Sequence, residues 1–122
     1  MDTISTVATL PKELRTYETS DGKRPFDEWL DGFNDKATLA RIVARLNRVA
    51  LGNLGDVKSV GSGVSELRLA FGKGYRVYFA REGDKIILLL CGGDKGSQDK
   101  DIREAKAYLQ DYRRRDHGKK KQ

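Results

Sequence analysis

Polarity alternates with a period of two from Val64 to Phe71 and again from Gly74 to Arg81, and each run predicts a β-strand with one apolar face. Leu67, Leu69, Phe71, Tyr75, Val77 and Phe79 share that face, while Glu66, Arg68, Ala70, Arg76, Tyr78 and Ala80 share the other. Gly72-Lys73-Gly74 predicts a short hairpin loop that pairs Phe71 with Tyr75. In that register Arg68 lies opposite Tyr78 and Ala70 opposite Arg76, which makes the two arginines diagonal neighbours, roughly 7–8 Å apart at the backbone. Glu82-Gly83-Asp84 forms a second turn into a third strand, Lys85 to Cys91. The segment Ile86 to Leu90 is apolar on both faces, so it needs cover above and below the sheet. The result is a three-stranded antiparallel meander that returns the loop Gly92-Gly93-Asp94-Lys95 to the edge near Tyr75.

Elsewhere the apolar positions recur at helical spacing. Pro25 suits a first helical turn, Asp27 and Glu28 favour its positive end, and Phe26, Trp29, Leu30 and Phe33 fall on one side. A second helix runs from Asn34-Asp35 to Leu51 on the stripe Leu39, Ile42, Val43, Leu46, Val49 and Ala50, and Gly52 ends it. A third, from about Gln98 to Arg115 and capped by Ser97, carries Ile102, Ala105, Leu109 and Tyr112 along one side, suited to Ile86, Leu88 and Leu90. Leu14 to Thr19 reads as a short strand, Ser20 to Lys23 as a turn, and Asp56 to Val60 as a weak strand signal within a glycine-rich loop. These elements predict one α+β domain over residues 14–112, an antiparallel sheet with the N-terminal helical hairpin on one face and the C-terminal helix on the other. Residues 1–13 read as a weakly ordered N-terminus and residues 113–122 as a basic, disordered tail.

A chain of 122 residues with 38% hydrophobic content has room for one small core. Its one cysteine, Cys91, rules out a disulfide framework and reads as a buried small apolar residue in a reducing compartment. No apolar run approaches the roughly 18–20 residues of a membrane span, and the first residues lack a signal-peptide pattern. The expected location is therefore cytoplasmic, with no membrane partner. Residues Arg113 to Gln122 account for +5 of the net +6, so the body is nearly neutral and its cationic character is local.

Two local groups stand out. Arg68, Arg76 and Lys95, with Lys73, converge at one end of the predicted sheet, and Tyr78 among them is placed to stack on a base. The group reads either as a phosphate-binding site or as an ordinary solubilising face. Arg41, Arg45 and Arg48 form a row on the second helix, which is either its solvated side or a contact for RNA. One cysteine and one histidine, His117, make no metal ligand set, and the sequence lacks a P-loop pattern and any Ser/His/Asp or Cys/His arrangement. No metal or cofactor is expected.

The blocks GVSELR (63–68), GYRVYF (74–79), LLLCGGDK (88–95) and Ser97-Gln98, together with GNLGDVK (52–58), resemble addiction-module killer proteins. These form the HigB-like, phage Gp49-related branch of the RelE/ParE toxin superfamily, and the similarity runs from about Phe26 to Tyr112. The resemblance implies the toxin of a type II toxin-antitoxin pair, a metal-independent, ribosome-dependent messenger-RNA endonuclease in which the ribose 2′-hydroxyl attacks the adjacent phosphate. It implies that Arg76 binds the scissile phosphate, that Arg68 and Lys95 bind backbone or leaving-group phosphate, and that Tyr78 stacks or donates a hydrogen bond. Some HigB-type relatives use a histidine that the body of this chain lacks, which leaves the general base unassigned. The implied partners are a cognate antitoxin, commonly a helix-turn-helix protein from the adjacent gene and the only route to operator DNA, together with the ribosome and messenger RNA. A ParE-like, non-enzymatic inhibitor of DNA gyrase and an inactive phage-derived binding protein remain alternatives on the same fold.

Overall fold

The computed structural model describes residues 11–120, with side chains through Arg115. Residues 1–10, most of the stretch expected to be weakly ordered, lie outside the described residues. The chain runs β1 (Glu13–Thr16), α1 (Pro25–Asp31), α2 (Lys36–Ala50), β2 (Val57–Gly61), β3 (Val64–Arg68), β4 (Arg76–Glu82), β5 (Ile86–Gly93), a 3-10 turn (Lys95–Ser97) and α3 (Gln98–Lys120).

One five-stranded sheet has the order β1-β5-β4-β3-β2. Strands β2 to β5 are antiparallel, but β1 lies parallel to β5, from Glu13 beside Ile86 to Thr16 beside Leu89. The sheet is therefore mixed, which corrects the antiparallel expectation. The physical reason lies in β5: Ile87 to Cys91 are all buried, so the peptide groups on its outer edge need partners, and β1 supplies them. The weak signal at Asp56 to Val60 corresponds to a real edge strand, β2 (Val57–Gly61), registered from Val57 beside Leu67.

Two apolar clusters flank the sheet. Phe26 of α1 and Ile42, Leu46 and Val49 of α2 pack with Leu67, Leu69, Val77, Phe79, Ile87 and Leu89. Ala105 and Leu109 of α3 pack with Val64, Tyr78, Ala80, Leu88, Leu90 and Cys91 on the other face. Fully burying one such leucine contributes about 2 kcal/mol, and β5 supplies Ile87 and Leu89 to one cluster and Leu88, Leu90 and Cys91 to the other.

An irregularity in the β4–β5 ladder sets the end of the sheet. Tyr78 pairs with Cys91 but Phe79 pairs with Leu89, so Leu90 is an extra residue and both Leu90 and Cys91 lie in the α3-side cluster. The inversion puts Gly92 beneath the Trp29 ring and Gly93 against the Asp101 carboxylate, and a Cβ at either position would collide with its neighbour. The glycine pair is therefore a packing requirement.

Two further expectations need correction. The β3–β4 ladder pairs Arg68 with Arg76 and Glu66 with Tyr78, so the connection is longer than Gly72-Lys73-Gly74; Leu69 N–H donates to the Tyr75 carbonyl and Gly74 N–H to the Phe71 carbonyl. Compared with the Phe71–Tyr75 pairing, the register has moved by two residues, which keeps every side chain on its expected face. The helix expected to stop at Arg115 continues to Lys120, through most of the run read as a disordered tail. Arginine and lysine are good helix formers, Arg113 lies 3.7 Å from Glu82, and Arg115 donates to the Glu18 carbonyl.

Candidate nucleic-acid interface

Strands β3 and β4 place Arg68 and Arg76 directly opposite one another, where the sequence reading made them diagonal. The two positive charges coexist because Glu66, two residues from Arg68 on the same face, is buried between them. Its Oε1 is 3.2 Å from Arg68 Nε and its Oε2 is 3.8 Å from Arg76 Nε. Gln98 at the start of α3 and the Tyr78 hydroxyl also donate to Oε2, at 2.8 and 3.2 Å. Burial alone would raise the Glu66 pKa, but Gln98, Arg68, Tyr78 and the charge of Arg76 together outweigh it and hold the group below its ordinary value. Glu66 is thus an ionised counter-ion at neutral pH and a poor general base.

Arg76 is incompletely satisfied. Its side chain is 13% exposed, and its Nε is buried without a hydrogen-bond partner, since 3.8 Å is too long for a hydrogen bond to Glu66. One carboxylate shared by two guanidinium groups leaves this end of the sheet net positive.

Arg76, Lys73 and Lys95 line one open pocket of about 460 Å³, floored by Ala70, Phe71 and the glycine turn. Lys95 is positioned by Asp94, whose side chain accepts from the Gly96 N–H and caps the short turn before α3. Across Ala70 and Phe71 a second pocket, about 410 Å³, is lined by Arg68 together with Arg41, Arg45 and Arg48. Arg41 stacks over the Phe71 ring with its guanidinium carbon 4.2 Å from the centroid. The arginine row of α2 and the sheet-end cations therefore border one cationic surface that spans the β3–β4 loop.

Two expected contact residues are not available there. Tyr78 is fully buried beneath α3, so its ring cannot stack on a base. Burial, followed by the charge of Glu66, raises its pKa and keeps the hydroxyl protonated as a donor. Arg45 is also buried: it donates to the Leu54 carbonyl at 2.5 Å and packs against Gly55, so it holds the loop after α2 while Arg41 and Arg48 stay exposed. Burial, then the charge of Arg48, lowers its pKa. Cys91 is buried as expected, and burial pushes its thiol up to about 12.

The residues that sequence reasoning missed are Glu66 and Gln98 as the arginines' supporting network, and Asp101. Asp101 is 7% exposed, and its carboxylate accepts from the Ser97 hydroxyl at 2.5 Å. Burial is the first cause of its raised pKa. The Glu66-x-Arg68 spacing on one strand face was the available signal for Glu66, and the i, i+4 spacing of Ser97 and Asp101 was the one for Asp101; nothing local marks Gln98, because its partner Glu66 is distant in sequence.

These features define a small α+β protein whose mixed sheet carries a cationic pocket at one end and no membrane-spanning helix among the described residues. The family described as Phage derived protein Gp49-like (DUF891) matches residues 28–114, and the chain belongs to it, a family of addiction-module toxin type, RelE/HigB-like. The chain is also 48% identical over 86 residues to an uncharacterized protein of Haemophilus influenzae (strain ATCC 51907 / DSM 11121 / KW20 / Rd), an alignment that covers 70% of this chain and 87% of that protein.

Proposed function

We propose that this protein is the toxin of a type II toxin-antitoxin pair, with a RelE/ParE-like fold, and that it cleaves messenger RNA on the ribosome. The observation that carries the reading is the convergence of Arg76, Lys73 and Lys95 on one pocket, with Arg76 Nε lacking a partner. In the cleavage, the ribose 2′-hydroxyl gives its proton to water as its oxygen bonds to the neighbouring phosphorus, the bond from phosphorus to the 5′-oxygen breaks to leave a 2′,3′-cyclic phosphate, and the departing 5′-oxygen takes a proton from water. Negative charge accumulates on the equatorial oxygens of the phosphorane. Arg76 stabilises that charge, Lys95 and Arg68 hold the flanking or leaving phosphates, and Lys73, Arg41 and Arg48 track the strand.

Among the described residues no acid–base pair assembles beside these cations: Glu66 is ionised and enclosed, and Asp94 is engaged in capping the turn. The reaction is therefore driven by charge stabilisation and by how the ribosome orients the message. The antitoxin partner follows from the family type, with a small neighbouring-gene protein as its form.

Mapping RNA 5′ ends after induction tests the reading. Cuts inside translated frames are the expected result, and they should disappear in the Arg76→Ala protein. Intact messages with altered DNA supercoiling would replace the nuclease reading with gyrase inhibition. Harmless overexpression, with no small partner recovered from the native host, would leave an inactive binding protein.

A further inference from the structure

Beside the cationic pocket lies a separate crevice of about 620 Å³ walled by Trp29, Phe33 and Tyr75. The rings pack edge to face, with Phe33 5.0 Å from Trp29 and 5.2 Å from Tyr75 between centroids, and all three are only partly buried. Glu28, Asp35 and Asp94 lie on its rim, and Lys73 lines both this crevice and the pocket of Arg76 and Lys95. Two of the carboxylates are fixed in orientation: Asp35 accepts from the Ala37 N–H at 3.0 Å and Asp94 from the Gly96 N–H at 2.8 Å.

We propose that this crevice receives a nucleobase of the strand whose phosphate lies at Arg76, and that it favours bases with an exocyclic amino group over uracil. The proposal rests on the reading of this surface as an RNA site and adds the base-reading element to it. Aromatic walls suit a base, which gains from stacking whatever its identity. A carboxylate rim repels phosphate, so the part of the strand that enters is the uncharged base and the backbone stays on the Lys73 side. Carboxylates only accept hydrogen bonds at neutral pH; they pair with the exocyclic amino groups of adenine, cytosine and guanine, whereas uracil has the O4 carbonyl where adenine and cytosine have the amino group and offers only its N3–H as an edge donor. Continuity through Lys73 selects a nucleic-acid strand over a free nucleoside.

The chain has one tryptophan, and it lies in this crevice, so Trp29 emission reports occupancy without any need for cleavage. Full-length protein is titrated with short single-stranded RNAs of adenine, cytosine or uracil, with an abasic ribose-phosphate oligomer, and with an arginine-rich peptide. Saturable quenching by the adenine and cytosine strands is expected, with about fivefold weaker binding of the uracil strand. The abasic oligomer should bind without quenching. Phe33→Ala should weaken the adenine strand by about fivefold or more. Glu28→Gln, at an exposed position, should narrow the preference over uracil and keeps the test open where Phe33→Ala fails to fold. Equal quenching by the abasic oligomer, quenching by no RNA, or quenching by the peptide in preference to RNA would overturn the proposal; the last would assign the crevice to a cationic segment of a protein partner. Message cleavage without base-dependent quenching would sink the base site alone, and base-dependent quenching without cleavage would sink the nuclease reading alone.

Discussion

Arg68 and Arg76 face each other directly across β3 and β4, and the single buried carboxylate of Glu66 serves both. Two guanidinium groups in that relationship repel one another unless an anion sits with them. Glu66→Gln removes the anion and keeps the shape. Because Arg68 is 36% exposed and partly screened by water, the expected loss is about 2–3 kcal/mol, below the usual cost of breaking a buried pair. Urea unfolding measures it, and added inorganic phosphate should restore stability to the variant more than to the parent protein. Equal stabilisation of both would show that the two arginines do not depend on a shared anion.

Arg76→Ala separates function from fold. Glu66 keeps Gln98, Arg68 and Tyr78 in the variant, and an unsatisfied buried donor is removed, so thermal unfolding should change little. Message cleavage should fall by about 10²–10³-fold, the usual cost of losing one group that stabilises transition-state charge. A soluble, well-expressed Arg76→Ala protein that still arrests growth would remove this residue from the mechanism.

Arg45 and Arg48 look equivalent in the sequence and should behave in opposite ways. Arg45→Ala leaves the half-buried Leu54 carbonyl without its guanidinium donor and should cost about 1–2 kcal/mol of stability. Arg48→Ala, exposed on the same helix, should leave stability unchanged and weaken RNA binding, with a shallower salt dependence. Parallel denaturation and salt-titrated binding measurements distinguish the two.

Asp101 and Glu66 respond to pH in opposite senses. The folded-state pKa of Glu66 is lowered from 4.5, so its stabilisation is present above that value and is lost as pH falls through the folded pKa. That of Asp101 is raised from 3.8, so the native state is favoured while Asp101 is protonated and loses stability as pH rises from 3.8 through the folded pKa. Asp101→Asn keeps an acceptor for the Ser97 hydroxyl without the charge. The variant should equal or exceed the parent in stability at pH 7, and the difference should close below pH 3.8. Lower stability of Asp101→Asn at pH 7 would mean that the ionised carboxylate has a partner beyond Ser97.

The local pattern was enough to determine which elements form and which way their side chains point. Alternation along 64–71 and 74–81, the two-faced apolar run at 86–90 and the helical stripes of Phe26-Trp29, Ile42-Leu46-Val49 and Ala105-Leu109 specify the faces that the two clusters bury, since period and polarity are properties of each segment alone. A register error of two residues left those faces intact for the same reason. What only the tertiary structure decided were the relations between segments: β1 beside β5, the extra residue at Leu90, Gly92 under Trp29, and α3 laid over Tyr78. The arginine row shows the division most plainly. Arg41, Arg45 and Arg48 share one helix and one spacing, yet the loop at Leu54-Gly55 folds back on the middle one alone and turns a surface cation into a structural one. Spacing places a side chain on a face, but burial depends on which other part of the chain covers that face, and such contacts between distant segments are not encoded in any local period.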